Sequence, residues 1–342
     1  MSFQKLSNLR VCDLKEQELL KTVQRFCPAD VVGDDAALLM THLQKQLVVT
    51  TDMLVDQVHF SDRTTTATDV GWRAVAANLS DLAAMGATPL GITVALSLPG
   101  ETSVSWVEDC YQGMSDCLRS FQTPIVGGDL CRSSVRSIAI TAFGEVDQAL
   151  AIRRSVGQAG DVILVTGHHG SSRAGLELLL QPELATKLVT GDSKSLIQAH
   201  QRPLPRLDVV TKLSEIFAAC PGLRIAGMDS SDGLADAVIQ ICRASGIGAR
   251  IVPDQIPISK VLKKLVPSDK ALEWALYGGE DFELVLFLPT KAAEDLLRLI
   301  NGQATIVGIA TLATEILLVD HLDPNHATWQ RELSLEQGFQ HF

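Results

Sequence analysis

The chain lacks the features that mark membrane, secreted and nucleic-acid-binding proteins. None of its apolar stretches reaches the roughly 20 residues needed to cross a bilayer, and the first segment, MSFQKLSNLRVCDLKEQ, has no apolar signal core. The net charge is -11, so the chain has no basic surplus with which to bind a phosphate backbone. We therefore expect a cytoplasmic protein with no nucleic-acid partner and no membrane partner.

Cysteine is sparse and irregularly spaced. The seven cysteines are odd in number, and no two of them form a C-x-x-C pair. Neither a disulfide framework nor a zinc ribbon is indicated by this pattern. The cysteines instead favour a reducing compartment, in agreement with a cytoplasmic location.

Several common catalytic motifs are also absent. The chain has no G-x-x-x-x-G-K-[ST] loop, no G-x-G-x-x-G after a first strand, no H-R-D catalytic loop and no G-x-S-x-G elbow. The common nucleotide-binding folds and the serine hydrolases are therefore not supported.

Apolar runs rich in Val, Ile and Thr alternate with longer segments of helical period, a pattern typical of the α/β class. A chain of 342 residues is long enough for two domains. The weakest join is the polar segment RRSVGQAG at 153–160, so we predict domains over 1–152 and 153–342. Strands are predicted at 46–51, 91–98, 124–126, 137–146, 161–166, 223–228, 249–252, 282–288 and 304–309, and helices at 68–85, 103–121, 171–180, 204–219, 231–244 and 291–300.

Carboxylates recur at the ends of the apolar runs, each beside Gly, Ser or Thr. They are Asp34 and Asp35 in VVGDDAALL, Asp52 in VVTTDMLVD, Asp81 in NLSDLAAMGA, Asp129 in PIVGGDL, Asp229 and Asp232 in GMDSSDGLAD, and Glu280 and Asp281 in YGGEDFEL. If several lay together they would repel by about 3 kcal/mol per pair at roughly 5 Å and an effective dielectric near 20. Oxygen-only ligands suit Mg²⁺ or Mn²⁺, so the pattern indicates a divalent metal site.

Each acidic turn also has a simpler interpretation. A single carboxylate beside Ser or Thr is equally typical of a helix cap, and a Gly pair before an acid is equally typical of a tight turn. Asn78 and Asp81 share one face of a predicted helix, and His59 follows an acidic turn, where it reaches a substrate phosphate or simply packs. Gly167 and Gly170 either present a helix N-terminus to phosphate or shape a turn. Residue chemistry alone therefore indicates metal-dependent phosphate chemistry and nothing finer.

The motifs taken together are more specific. In this order, VVGDDAALL, TTDMLVDQVHF, NLSDLAAMGATP, PIVGGDLCR, MDSSDGLAD and YGGEDFEL closely resemble the thiamine-monophosphate kinases of the aminoimidazole ribonucleotide synthetase (PurM-like) superfamily. The resemblance runs from about Val31 to Ile309 and extends to the GFQHF ending. It implies a two-domain PurM-like α/β fold whose N-terminal sheet domain forms a homodimer. It also implies ATP- and Mg²⁺-dependent phosphorylation of thiamine monophosphate to thiamine diphosphate.

The resemblance further implies roles for individual residues. As ligands of several Mg²⁺ ions or of their waters it indicates Asp35, Thr50, Thr51, Asp52, Asp81, Asp129, Asp229 and Asp232. As contacts to ATP it indicates Gly128, Asp129, Arg154 and Ser231, and as contacts to thiamine monophosphate His59, Glu280 and Phe339. It indicates no protein nucleophile or general base.

Three alternatives belong beside this interpretation. A selenophosphate synthetase would carry a reactive cysteine or selenocysteine near its Gly-rich start, and a hydrogenase-maturation dehydratase would end in cysteine. This chain ends in His341 and Phe342, and Cys12 lies outside any such motif, so both are disfavoured. The third alternative is a nucleotide- or metal-binding regulator that kept the fold without turnover.

Overall fold

The structure is a computed structural model that describes residues 9–14, 16–28 and 40–335. Contacts between Cα atoms divide the chain into an N-terminal unit, Met1–Leu82 with Thr88–Glu145, and a C-terminal unit, Ala83–Ala87 with Val146–Phe342. The domain division at residue 152 stays a prediction. No helix of the described residues is both long enough and apolar enough to span a membrane.

The N-terminal unit is built on a four-stranded mixed sheet. Its strands are β1 (Lys45–Val55), β2 (Thr88–Leu98), β3 (Ile125–Arg132) and β4 (Ser137–Asp147), in the order β1-β4-β2-β3. Strand β2 runs parallel to β3 and antiparallel to β4. The helices described in this part of the chain are α1 (Glu16–Gln24), α2 (Ala67–Ala84) and α3 (Val104–Arg119).

Helices α2 and α3 approach each other closely because glycine lies at their contact. A Cβ atom on Gly71 would lie 1.9 Å from the Cys110 carbonyl oxygen, and one on Gly113 would lie 1.8 Å from the Thr68 carbonyl oxygen. Ser103 caps the start of helix α3, since its hydroxyl accepts a hydrogen bond from the Trp106 N–H at 3.1 Å.

The C-terminal unit contains a seven-stranded sheet in the order β11-β10-β7-β9-β5-β8-β6. The strands are β5 (Val162–Thr166), β6 (Ala226–Asp229), β7 (Gly248–Ile251), β8 (Leu284–Leu288), β9 (Ala304–Thr311), β10 (Ile316–Val319) and β11 (Gln330–Glu332). Neighbouring strands are antiparallel except β7 and β10. The helices are α4 (Ser171–Leu180), α5 (Thr190–Gln201), α6 (Leu207–Ala219), α7 (Leu234–Ser245), α8 (Lys260–Leu265), α9 (Ser268–Tyr277) and α10 (Thr290–Leu299).

The predicted α/β class is confirmed, and every predicted strand and helix overlaps an observed one. Strands β1 and β3 run further than predicted, so Asp52 and Asp129 lie within strands rather than in turns after them. Helix α6 begins three positions later than predicted, at Leu207. Pro205 disfavours helical backbone at Leu204, and Arg206, with ψ 44°, is the non-helical residue before the first turn. Helices α1, α5, α8 and α9 and strands β10 and β11 were not predicted.

Candidate functional site

In the N-terminal unit, four polar residues bring strand β1 and helix α2 together. The Thr50 hydroxyl donates a hydrogen bond to Asp81 Oδ2, and the Asp52 backbone N–H donates to Asn78 Oδ1 at 3.2 Å. Asn78 is fully buried, and its Nδ2 donates to the Ala74 carbonyl at 2.9 Å. Asn78 and Asp81 therefore share one face of α2, as predicted, and that face lies against β1. Thr50, Asp52, Asn78 and Asp81 are named here the β1/α2 cluster.

The β1/α2 cluster has the chemistry of a magnesium site. Its donors are carboxylate, hydroxyl and amide oxygens, which Mg²⁺ prefers, and its two carboxylates bring the negative charge that a divalent ion would offset. Among the described residues, no three His, Cys, Asp or Glu side chains gather as a metal-binding group. Asp35 lies outside the described residues. The metal-ligand roles of these residues stay predictions.

Two predicted metal ligands lie on the opposite face of the same sheet. The Thr51 hydroxyl donates to the Ile140 carbonyl at 2.9 Å and lies 3.2 Å from the Thr141 hydroxyl. Asp129 on β3 pairs in register with Ala95, on the exposed face of β2. Because successive side chains of a strand point to opposite faces, Thr51 and Asp129 do not join the β1/α2 cluster.

Gly128, a predicted ATP contact, also has a packing explanation. A Cβ atom at this position would lie 2.1 Å from the Val94 carbonyl oxygen, so strand β3 fits against β2 only with glycine here. At Gly127 the nearest atom to such a Cβ is Thr93 Cγ2, at 3.7 Å. The conformation of β3 therefore accounts for Gly128 but not for Gly127.

His59 lies in the turn that follows β1. The His59 backbone N–H and the Val58 backbone N–H both donate to the Val55 carbonyl, at 2.9 and 3.2 Å, and the Val55 N–H donates to His59 Nδ1 at 3.1 Å. Because Nδ1 accepts this bond, a neutral ring carries its proton on Nε2. The half-buried ring is thus held in one orientation, with Nε2 as its donor atom.

In the C-terminal unit, the predicted acidic turn follows strand β6. Asp229 is buried and its Oδ1 accepts a hydrogen bond from the Ser231 hydroxyl at 3.1 Å. Helix α7 begins after Gly233, whose φ of 104° lies in the region that glycine alone adopts readily. Asp232, which lies between Ser231 and Gly233, is exposed.

The segment Gly278–Asp281, named here the GGED loop, lies beside this turn. The Glu280 N–H donates to the Ser231 carbonyl at 2.6 Å. Gly279 has φ 67° and Glu280 has φ 59°, and the left-handed region is uncommon for a residue with a side chain such as Glu280. Predicted contacts to ATP (Ser231) and to substrate (Glu280) are therefore joined by a backbone hydrogen bond.

Asp281 has a structural task. Its two carboxylate oxygens accept hydrogen bonds from the backbone N–H groups of Gly170, at 2.6 Å, and Ser172, at 2.9 Å, at the start of helix α4. Burial raises the pKa of Asp281, and these two N–H donors oppose the shift. The α4 N-terminus, considered from sequence as a phosphate site, already binds this side chain, which favours the turn-forming role for Gly170.

A buried ion network supports the same region and was not predicted. Glu283 Oε2 accepts hydrogen bonds from the Thr166 hydroxyl at 2.6 Å and from Arg206 Nη1 at 2.7 Å, and Arg206 also pairs with Asp208 at 3.0 Å. Burial raises the pKa of Glu283, while Arg206 acts in the opposite direction. Sequence spacing does not connect Glu283 to Thr166 or Arg206, because these three residues come from segments far apart in the chain.

The remaining predicted contacts are less constrained. Arg154 is exposed, and its backbone carbonyl accepts a hydrogen bond from the Ser245 hydroxyl at 2.7 Å, at the end of α7. Phe339 lies outside the described residues. The ligand contacts of both residues stay predictions.

Comparisons with known proteins agree on one family. Residues 33–146 match the family described as AIR synthase related protein, N-terminal domain, and residues 158–318 match its C-terminal domain. The thiamine-monophosphate kinase of Synechococcus elongatus is 48% identical over 340 residues, covering 98% of this chain and 99% of the relative.

Solved structures give the same result. The crystal structure of thiamine-monophosphate kinase from Stenotrophomonas maltophilia K279a superposes with a TM-score of 0.76 at 34% identity, covering 90% of this chain and 96% of the other. A second structure, described as AaThiL complexed with AMPPCP and TMP, superposes with a TM-score of 0.71 at 29% identity and covers 97% of this chain and 99% of the other.

Proposed function

This chain belongs to the thiamine-monophosphate kinases of the AIR synthase related family, and we propose that it transfers the γ-phosphoryl group of ATP to thiamine monophosphate. The products are thiamine diphosphate and ADP. The observation that carries this proposal is the 48% identity to a thiamine-monophosphate kinase over 98% of this chain. The predicted two-domain PurM-like fold is confirmed by the same comparisons.

ATP as co-substrate is supported by the related structure with AMPPCP and TMP. The acceptor is itself a phosphate monoester whose second pKa is about 6, so at neutral pH it is already largely an anion. Such an acceptor needs no general base. We therefore propose direct in-line attack of the acceptor phosphate oxygen on the γ-phosphorus, with ADP as the leaving group and no phosphoenzyme.

We propose Mg²⁺ as the metal. We expect several ions: Thr50, Asp52 and Asp81 would be ligands in the N-terminal unit, and Asp229 would be a ligand in the C-terminal unit, because each offers the oxygen donors that Mg²⁺ prefers. When bound, Mg²⁺ offsets the negative charge of the phosphates. Thr50 is placed to orient the Asp81 carboxylate, and Asn78 to fix the backbone at Asp52.

The substrate-binding proposal rests on residues that their surroundings hold in one conformation. His59 would donate from Nε2 to the substrate phosphate, since Nδ1 is already occupied by the Val55 N–H. Glu280 would bind thiamine monophosphate, and Gly128, Asp129, Arg154 and Ser231 would bind ATP. Two further proposals are supported by the resemblance alone. The first is that metal or metal-bound water has the additional ligands Asp35, Thr51, Asp129 and Asp232. The second is that Phe339 contacts the substrate.

We propose that the protein is a homodimer. Leu47, Val49 and Met53 on the outer face of β1 are 52%, 54% and 58% exposed, and together with exposed Thr51 they form one side of this strand. An apolar stripe of this kind is unusual on the surface of a monomer. The exposed apolar residues are accounted for if a second copy of the chain covers this face.

A cytoplasmic location is proposed on chemical grounds. All seven cysteines lie within the described residues, and all are free thiols. Unpaired thiols persist in a reducing compartment.

The reaction is tested by ³¹P NMR of the purified protein with ATP, Mg²⁺ and thiamine monophosphate. Matched samples contain free thiamine, selenide or no acceptor. We expect thiamine diphosphate and ADP only in the sample with the monophosphate. Unchanged ATP in that sample would overturn the proposal, and product formed from selenide would indicate another member of the superfamily.

A further inference from the structure

His200 is a buried histidine that no sequence motif indicated, and it lies beside the GGED loop. Its side chain, near the C-terminal end of α5, is 2% exposed. The Nδ1 atom lies 3.2 Å from the Ser172 hydroxyl oxygen and 3.7 Å from Glu280 Oε2. The polar edge of the ring therefore faces the side chain that we propose as a substrate contact.

The backbone around Glu280 is held from several sides. Glu280 adopts φ 59°, and Phe282, two residues further on, adopts φ 52°. Such conformations are costly for residues other than glycine and persist only where their surroundings impose them. The Glu280 N–H is bound by the Ser231 carbonyl, and Asp281 is bound by the start of α4. The Glu280 side chain remains 35% exposed, with the buried imidazole on its inner side.

Packing explains why a side chain of this size occupies position 200, but it does not explain why that side chain carries polar nitrogen atoms. A Cβ atom at Gly175 of α4 would lie 2.1 Å from the Leu196 carbonyl oxygen and 2.9 Å from His200 Cβ, so α4 and α5 are in close contact at this point. A leucine could fill such a position. A buried ring nitrogen is instead costly unless it has polar neighbours, and Nδ1 lies within hydrogen-bond distance of the Ser172 hydroxyl and 3.7 Å from the Glu280 carboxylate.

We infer that His200 is a positioning residue whose imidazole, oriented by the Ser172 hydroxyl, holds the Glu280 carboxylate in the orientation that binds thiamine monophosphate. This inference rests on the proposed function. The Ser172 N–H also binds Asp281, so one residue of α4 contacts both the His200 imidazole and the acidic residue that follows Glu280. Loss of the imidazole leaves the loop backbone in place and releases the carboxylate, so it weakens substrate binding more than it slows the chemical step.

The test compares four variants with the wild-type protein by steady-state kinetics. His200→Leu removes the polar edge at similar volume, and His200→Asn keeps a polar group near the position of Nδ1. Ser172→Ala removes the hydroxyl but keeps the backbone N–H that binds Asp281. His169→Leu is the matched control, because His169 is another buried histidine of the C-terminal unit.

We expect His200→Leu to raise the KM for thiamine monophosphate about 10-fold, equivalent to about 1.4 kcal/mol. We expect Ser172→Ala to raise the KM for thiamine monophosphate roughly threefold. The KM for ATP should stay within twofold of wild type. His200→Asn should restore most of the affinity for thiamine monophosphate that His200→Leu loses. His169→Leu should stay within twofold throughout. Three results would overturn the inference. One is an equal effect of His200→Leu and His200→Asn on the KM for thiamine monophosphate. The others are an equal rise in the KM values for both substrates and no change in either KM value. If His200→Leu does not fold, Ser172→Ala and His200→Asn decide.

A second measurement separates this inference from the proposed function. Wild-type protein that forms no thiamine diphosphate would overturn the proposed function. Side-chain NMR of Glu280 with selective ¹³C labelling still reports on positioning, since it requires no turnover. We expect a single carboxyl environment in wild type and His200→Asn, and an averaged one in His200→Leu. The same carboxyl signal in all three proteins would contradict the role of His200.

Discussion

At the scale of single residues, the buried imidazole of His169 links the stability of the protein to pH. It is fully buried, and neither ring nitrogen has a hydrogen-bond partner in the part of the chain that the structure describes. Burial lowers its pKa from 6.5 to about 3, and the charge of neighbouring His168 acts in the same direction. The Thr166 carbonyl opposes the shift without reaching hydrogen-bond geometry with either nitrogen. The ring therefore stays neutral in the folded protein at any pH where it would titrate in the unfolded chain.

This gives a pH prediction with a defined sign. Below about pH 6.5 the unfolded chain binds a proton at His169 that the folded protein does not, so stability is lost as the pH falls toward 3. From pH 7.5 to pH 5 the linked loss is about 2 kcal/mol. We expect His169→Leu to remove that loss when urea unfolding is measured at both pH values. The exposed His168, changed to Gln, is the control and should retain the wild-type loss. An identical pH dependence for His169→Leu and wild type would contradict the prediction.

A second residue-scale prediction concerns Asp52. Its backbone is fixed by Asn78, so Asp52→Asn should leave the fold intact while deleting a proposed metal ligand without deleting volume. We expect kcat/KM to fall roughly 100-fold or more at saturating Mg²⁺, as for loss of a charge-stabilising group. The control is Asp109→Asn on the exposed surface of α3, which should stay within twofold of wild type. Full activity of Asp52→Asn would remove Asp52 from the metal site.

A contact between two residues could be predicted from the sequence only where the residues are close along the chain. Asn78 and Asp81 lie three positions apart in one helix, so their common face follows from helical geometry. The contact of His200 with Glu280 joins distant segments, and it depends on the packing of α5 against α4 and on the bonds from α4 to the neighbouring Asp281. Asp281 was counted among the recurring carboxylates, but its role at the start of α4 was not predicted, because a residue that caps a distant helix leaves no local sequence pattern.

At the scale of elements, periodicity predicted where helices and strands lie better than where they end. Strand β1 continues through Thr50–Thr51–Asp52 because its alternating burial extends to Val55, although the polar residues resemble a turn. Helix α5, TGDSKSLIQAHQ, buries only Leu196 and His200 and so shows a weak apolar face. Both differences arise because tertiary packing, not local preference, decides these segments.

The contact between α2 and α3 gives a prediction at this scale. Gly113→Ala places a Cβ 1.8 Å from the Thr68 carbonyl oxygen, so the helices must separate. We expect it to destabilise the protein by about 1 to 3 kcal/mol, the usual cost of overpacking. The matched control is Gly191→Ala in the exposed first turn of α5, where nothing lies within 4 Å of the added atom. For Gly191→Ala we expect no loss of stability, and a gain of up to about 1 kcal/mol in the free energy of unfolding. Urea unfolding measures both, and equal effects would refute the packing argument.

At the scale of the whole molecule, we propose that two chains associate through the outer face of the N-terminal sheet. Strand β1 is an edge strand of that sheet, and it exposes Leu47, Val49 and Met53. An exposed apolar edge strand favours pairing with another chain, so natural proteins protect such edges or use them as interfaces. No pattern in the sequence distinguished these residues from core residues, because their alternation is equally typical of a strand with one buried face.

The dimer is tested by introducing a charge into this stripe. Val49→Glu places a carboxylate in the middle of the proposed interface, where each copy would bring a like charge, and burying an unpaired charge is costly. We expect light scattering after size exclusion to give twice the chain mass for wild type and the single-chain mass for the variant. Leu312→Glu is the control, because Leu312 is 88% exposed in the C-terminal unit and should leave the dimer unchanged. A wild-type monomer, or a Val49→Glu dimer of undiminished stability on dilution, would show that this face is not the interface.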